Sequence, residues 1–171
     1  METQTAAQGR ACGACRACCL VYYVDEIKDD TGNVQAKKGW TWCVHCVEGV
    51  GCAIHRALAE RAPKCYQFSC LWLEGVMPES FRPDEIGVAF DTMCDLGTGD
   101  TLLRATEVWP GALGEPEIID LIQRVVRSGM PVYYVEFERN PIIYLRDGLD
   151  PAPIVLRMRE KGVPLLILAD S

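Results

Sequence analysis

Apolar residues in the first part of this chain come in short clumps broken by glycine, proline and cysteine. Leu20-Val-Tyr-Tyr-Val24 is aromatic and β-branched and predicts a short strand. Lys28-Asp-Asp-Thr-Gly-Asn33 is a turn, and Trp40-Thr-Trp-Cys43 returns the chain to apolar structure. Residues 53–62 are helix-forming and end at Pro63; a second helical stretch covers 66–74 and closes at Gly75. Met77-Pro-Glu-Ser-Phe-Arg-Pro83 reads as a linker.

Beyond it the pattern changes. Residues 86–90 and 101–109 read as strands around a turn-rich segment from Cys94 to Asp100. Ile118, Ile119, Leu121, Ile122, Val125 and Val126 mark the apolar face of an amphipathic helix over 115–127, starting after Pro116 and stopping at Gly129. Residues 132–137, 142–145 and 165–168 are further strands, and 154–160 fits either period. No repeat of solenoid length is visible. The expected class is α+β: a cysteine-rich lobe with short helices, then a small, mostly antiparallel sheet packed on one helix. The expected organisation is a disordered 1–11, a cysteine-cluster metal-binding region at 12–78 and an α+β region at 85–171, the last two possibly forming one compact domain.

Composition narrows the function. Of 171 residues, 49% are hydrophobic and 24% charged, which suits a folded globular chain. A net charge of -7 argues against nucleic acid as a partner, because phosphates need Lys and Arg to displace their counterions. No apolar run approaches the roughly 20 residues that span a bilayer, so no membrane partner is expected. The start lacks a basic stretch followed by an apolar core, so export is not indicated and a cytoplasmic location is expected.

The chemistry lies in the cysteines. Nine of the ten fall within the first 70 residues, as Cys12-x-x-Cys15-x-x-Cys18-Cys19, Cys43-x-x-Cys46-x5-Cys52 and Cys65-x4-Cys70. Thiols gathered this way cross-link or bind a soft metal, and a reducing compartment favours metal. On a helix, Cys12, Cys15, Cys18 and Cys19 would share a face of about 120°; as a loop, the same spacing wraps a cluster as a ferredoxin loop does. Adjacent side chains seldom point at one small ion, so one of Cys18 and Cys19 is expected to serve or bridge a second. Cys43-x-x-Cys46 is the knuckle spacing of structural zinc sites, and the flexible Gly49-Val-Gly51 could turn Cys52 back to the same ion. Trp40, Trp42, Phe68 and Trp72 are placed to shield the site from water.

Nine thiols with His45 and His55 can fill two four-coordinate sites, so zinc, iron or an iron–sulfur cluster all fit. Leu20 after Cys19, where ferredoxin runs carry Pro, leans away from iron–sulfur. His45 is expected beside the ligands or facing solvent, His55 in a packing or hydrogen-bonding role, and Cys94 as a lone buried hydrophobe in a turn. Two histidines, both inside the thiol region, assemble no nucleophile–base pair.

The pattern resembles a bacterial cysteine-cluster family named for its C-x-x-C-x-x-C-C motif, the YkgJ-like proteins, described as a zinc- or iron-chelating domain. The matching positions are Cys12, Cys15, Cys18, Cys19, Cys43, Cys52, Cys65 and Cys70. Gly51-Cys-Ala-Ile-His55 and Arg61-Ala-Pro-Lys-Cys65-Tyr-Gln-Phe68-Ser-Cys70 are similar to the family's G-C-x-I-Y and R-P-x-x-C-R-x-F-x-C, with His55 for Tyr and Tyr66 for Arg. The resemblance covers residues 12 to 75, with an echo at Arg82-Pro-Asp-Glu-Ile-Gly-Val88. It implies metal chelation. The expected function is thus a metal-binding protein with a structural, storage or delivery role and no turnover of its own. The alternatives are an iron–sulfur redox protein or enzyme, and a structural-zinc module that presents a surface to a protein partner.

Overall fold

In the computed structural model, which describes residues 10–94, 101–137, 142–145, 152, 156, 160 and 166–169, the chain divides into two units, residues 1–89 and 90–171. The class is α+β, as the two sequence textures imply.

Unit 1 is built from short pieces. Helix α1 (Ala17–Val21) leads into the hairpin β1 (Val24–Lys28) and β2 (Val34–Lys37). The segment 20–24, expected as a strand, is split: α1 runs through Val21, and pairing starts only at Val24. Asp29 shapes the hairpin turn, its carboxylate accepting from the Thr31 amide at 2.8 Å, the Thr31 hydroxyl at 2.7 Å and the Asn33 amide at 3.0 Å. A second hairpin pairs β3 (Cys46–Val47) with β4 (Gly51–Cys52).

Next come a 3-10 turn (His55–Ala57), α2 (Leu58–Arg61) and α3 (Pro63–Gln67). Pro63 starts α3 instead of only ending the helix before it, since a first-turn position needs no N–H. Val24, Ile27, Ile54 and Ala62 form the core of this region, and Cys43, Cys52, Leu58 and Cys65 pack against it. The expected linker at 77–83 is folded: Met77 and Pro83 are buried, and the Trp72 indole donates to the Glu79 carbonyl at 2.9 Å. Helix α4 (Pro83–Ile86) follows and ends on Gly87 in the left-handed conformation.

Strand β5 (Val88–Cys94) begins in unit 1 and continues into unit 2. Unit 2 holds a sheet of order β5-β6-β7-β8-β9, with β6 (Thr101–Glu107), β7 (Val132–Val135), β8 (Ile142–Leu145) and β9 (Leu166–Ala169). Between β6 and β7 runs α5 (Pro116–Arg127), whose Ile118, Ile122 and Val126 are buried one turn apart. That helix gives the chain length for a crossover, and β6 and β7 pair in parallel. β7 and β8 are antiparallel and β8 and β9 parallel, so the sheet is mixed where a mostly antiparallel one was expected. Antiparallel pairing holds in both hairpins of unit 1.

The core of unit 2 includes Phe90, Leu102, Ala105, Ile118 and Val132, none more than 2% exposed. Each large apolar side chain buried this way contributes about 1.5–3 kcal/mol. Cys94 ends β5 and does not sit in a turn. The expected turns at 97–99 and 139–141, and most of 154–160, lie outside the described residues.

Candidate metal centre

Three backbone arrangements gather the thiols of unit 1. The first is the loop 12–15, closed by the Cys15 amide donating to the Cys12 carbonyl at 2.8 Å. It is a loop, and only Cys18 and Cys19 are helical, so the first group is neither one helix face nor one continuous loop. The second is the knuckle, where the Cys46 amide donates to the Cys43 carbonyl and the Cys43 amide to the Cys19 carbonyl, both at 3.0 Å. The third is α3, which carries Cys65 onto the core beside Cys43 and Cys52.

Gly51 locks the first two together. Its φ is +90°, and a Cβ there would collide with the carbonyl oxygen of Gly13. The role anticipated for Gly49-Val-Gly51 was flexibility. At Gly51 the requirement is close approach, which only a residue without Cβ allows.

All nine cysteines of residues 12–70 are free and partly buried. Cys19 is the hub of their contacts. Its thiol is in hydrogen-bonding contact with Cys18 and Cys52, and Cys46 contacts it in turn. The adjacent thiols of Cys18 and Cys19 thus touch each other. Cys46 and Cys52 sit directly opposite each other across β3 and β4. Cys65 feels Cys43 and Cys52, and Cys12 feels Cys70 and Cys52. Cys15 stands apart from this web, its thiol bonded to Asp84. Beside it, Arg82 Nε lies 2.8 Å from Asp84 Oδ1, an ion pair without hydrogen-bond geometry, which leaves both atoms unsatisfied.

Mutual proximity makes these thiols hard to ionise. Contact with Cys18 and then burial push the Cys19 thiol up, and contact with Cys19 raises Cys52. Burial, reinforced by Cys43 and Cys52, lifts Cys65 to about 11; burial lifts Cys15 to about 12 and raises Cys12 and Cys46. A cation would reverse the effect, because a coordinating thiol is deprotonated outright.

As they stand, no three Cys, His, Asp or Glu side chains among the described residues are disposed to hold one ion. In a tetrahedral zinc–thiolate site with Zn–S near 2.3 Å, sulfurs are about 3.8 Å apart.

His45 is buried and does not face solvent. Its Nε2 lies 2.7 Å from the Lys28 carbonyl, which can only accept, so the contact needs a proton on Nε2. Arg61 donates to the same carbonyl at 3.0 Å and to Asp30 at 2.8 Å, tying α2 to the β1–β2 turn. His55, expected to pack or hydrogen-bond, is exposed. Of the aromatic shield, Trp72 is buried and Phe68 packs on Tyr22 with the rings tilted by 54° and centroids 4.7 Å apart, but Trp42 is 51% exposed under Arg16.

Sequence reading missed two basic residues. Arg10 donates to the carbonyls of Trp72 at 2.8 Å and Met77 at 2.7 Å, so the chain is already anchored before Cys12. Lys37, only 6% exposed, points its ammonium inwards, and burial lowers its pKa. Nothing marks Lys37 in the sequence, and the rest of β2 is exposed.

No family model, curated protein or solved structure matches the chain. Among the described residues, no helix is long and apolar enough to cross a membrane.

Proposed function

We propose that unit 1 is a thiolate metal-binding module that chelates zinc or iron, in a structural, storage or delivery role. The observation that carries this reading is the contact of Cys19 with Cys18, Cys46 and Cys52, four thiols contributed by two separate sequence groups. Folding spends Gly51 and a cross-segment hydrogen bond on bringing those groups together. Neutral thiols gain little from such crowding, whereas thiolates on a soft cation gain a great deal. A reducing cytoplasm would keep nine such thiols available for the ion, and the chain's acidic charge gives nucleic acid no role.

Substitution of the hub tests this. Cys19→Ala is expected to lower bound metal by about one ion per chain, while Cys94→Ala, outside every thiol group, leaves it unchanged. Equal metal content in both variants and the parent chain would refute the assignment. Colour then separates the ions: a zinc protein is colourless, and an iron–sulfur cluster gives a brown protein absorbing near 400 nm, favouring the redox alternative.

A second reading of the same module is favoured by its surface. Trp42, Val44, Val47 and Val50, at 51%, 62%, 44% and 61% exposure, surround the knuckle and its hairpin. A metal-held loop presenting these side chains suits contact with a protein partner.

A further inference from the structure

Burying an ammonium costs several kcal/mol unless hydrogen bonds and opposite charge compensate it. Lys37 has the first kind of compensation in full. Its Nζ donates to the carbonyls of Leu20 at 2.9 Å, Tyr22 at 2.5 Å and Lys38 at 3.1 Å, which uses all three of its protons. Two of those carbonyls belong to the segment that leaves Cys18 and Cys19, so the side chain pins α1 to the end of β2.

No carboxylate joins Lys37 in an ion pair among the described residues. Four thiols face its charge, those of Cys18, Cys19, Cys43 and Cys65. They come from all three cysteine groups. Neutral carbonyls satisfy the protons of an ammonium but not its charge. Thiolates would satisfy the charge, and a divalent ion holding four of them keeps a net charge of about minus two, which one lysine halves.

We propose that Lys37 is a positioning residue of the thiolate centre, pinning the Cys18-Cys19 turn through backbone carbonyls and supplying the positive charge against which Cys18, Cys19, Cys43 and Cys65 take up a divalent soft cation. The inference rests on the metal-binding reading above. It adds the sign of the finished site: a thiolate-rich, net-anionic centre whose countercharge is built into the fold.

Cobalt(II), added to the reduced full-length chain without oxygen, is the probe, read by its sulfur-to-cobalt charge-transfer band between pH 5.5 and 8. Lys37→Gln keeps a donor for the carbonyls without the charge, and Lys37→Arg keeps the charge. We expect Lys37→Gln to bind cobalt about tenfold more weakly at pH 7, with its pH midpoint about a quarter of a unit higher because each ion displaces about four thiol protons, and Lys37→Arg to stay close to the parent chain. A Lys37→Gln midpoint equal to the parent's overturns the charge role while leaving metal binding intact. A parent chain that takes up no cobalt overturns the metal reading itself, and this proposal with it. If Lys37→Gln loses its amide protection in unit 1, Lys37→Arg decides: parent-like cobalt binding upholds the countercharge, and binding lost in a folded Lys37→Arg refutes it.

Discussion

Before β5, unit 1 has no described helix or strand longer than five residues, while unit 2 has a twelve-residue helix and a seven-residue strand wholly its own. Unit 2 is closed by apolar side chains and by a buried pair, in which Arg104 Nε donates to both Asp91 oxygens at 3.0 and 2.9 Å. Unit 1 closes around thiols that raise one another's pKa. Helices and strands this short do not sustain themselves, since nucleation is unfavourable and few hydrogen bonds follow. Their order must come from tertiary contacts, and in unit 1 many of those contacts end on sulfur. The comparison sets two sources of stability side by side: in unit 2 it belongs to the chain, and in unit 1, on the metal-binding reading proposed above, to the chain plus an ion on its thiols.

Removing the ion should therefore separate the two units most sharply. Structural metal binding free energy is folding free energy. Chelation or acid treatment is expected to abolish amide protection over residues 12–75 and leave that of α5, β6 and β7 largely intact. Hydrogen exchange in which both units open together would erase the distinction.

A matched pair of substitutions cuts the comparison from both sides. Arg104→Met takes the guanidinium away from the Asp91 carboxylate, only 2% exposed, and should destabilise unit 2 by about 3 kcal/mol without changing metal content. Gly51→Val forces a Cβ onto the Gly13 carbonyl at a φ of +90°. It should cost unit 1 about 3 kcal/mol and weaken metal binding by parting the first thiol loop from the knuckle. Both losses can be read by denaturant titration together with metal analysis. Metal lost from Arg104→Met but kept by Gly51→Val would reverse the roles assigned to the units.

The smallest effect is a pH dependence confined to metal-free unit 1. A thiol whose pKa is higher folded than unfolded contributes stability below its ordinary value and loses it as pH rises through the folded value. Cys65, lifted from 9.0 to about 11, sets the window. Cys12, Cys15, Cys19, Cys46 and Cys52 act in the same direction, and Lys37, lowered by burial, acts against them. Metal-free unit 1 should weaken between about pH 9 and 11, a loss that added zinc removes. Denaturation midpoints flat across that interval would contradict the raised thiols.

The same contrast governs how far the sequence could be read. In unit 2, residues 115–127 and 142–145 were legible almost to the residue, because a 3.6-residue period and short β-branched runs act locally. Parallel pairing of β6 with β7 was not, since direction depends on where α5 carries the chain. In unit 1 the cysteine spacing marked the site, but spacing says nothing of which thiols meet. Gly51 looked like any loop glycine and Lys37 like any surface lysine until the fold placed Gly13 and the carbonyls of Leu20 and Tyr22 beside them. Pro63 misled because proline both stops one helix and starts the next.

The most direct test of the central claim, that unit 1 is closed by a metal ion on its thiols, is the metal-to-chain ratio of protein purified without oxygen, measured alongside a native thiol titration. The account predicts one or two zinc or iron ions per chain, with about four of the ten cysteines protected per ion until the metal is removed. Well under one ion per chain, with all thiols reacting at once, would contradict it.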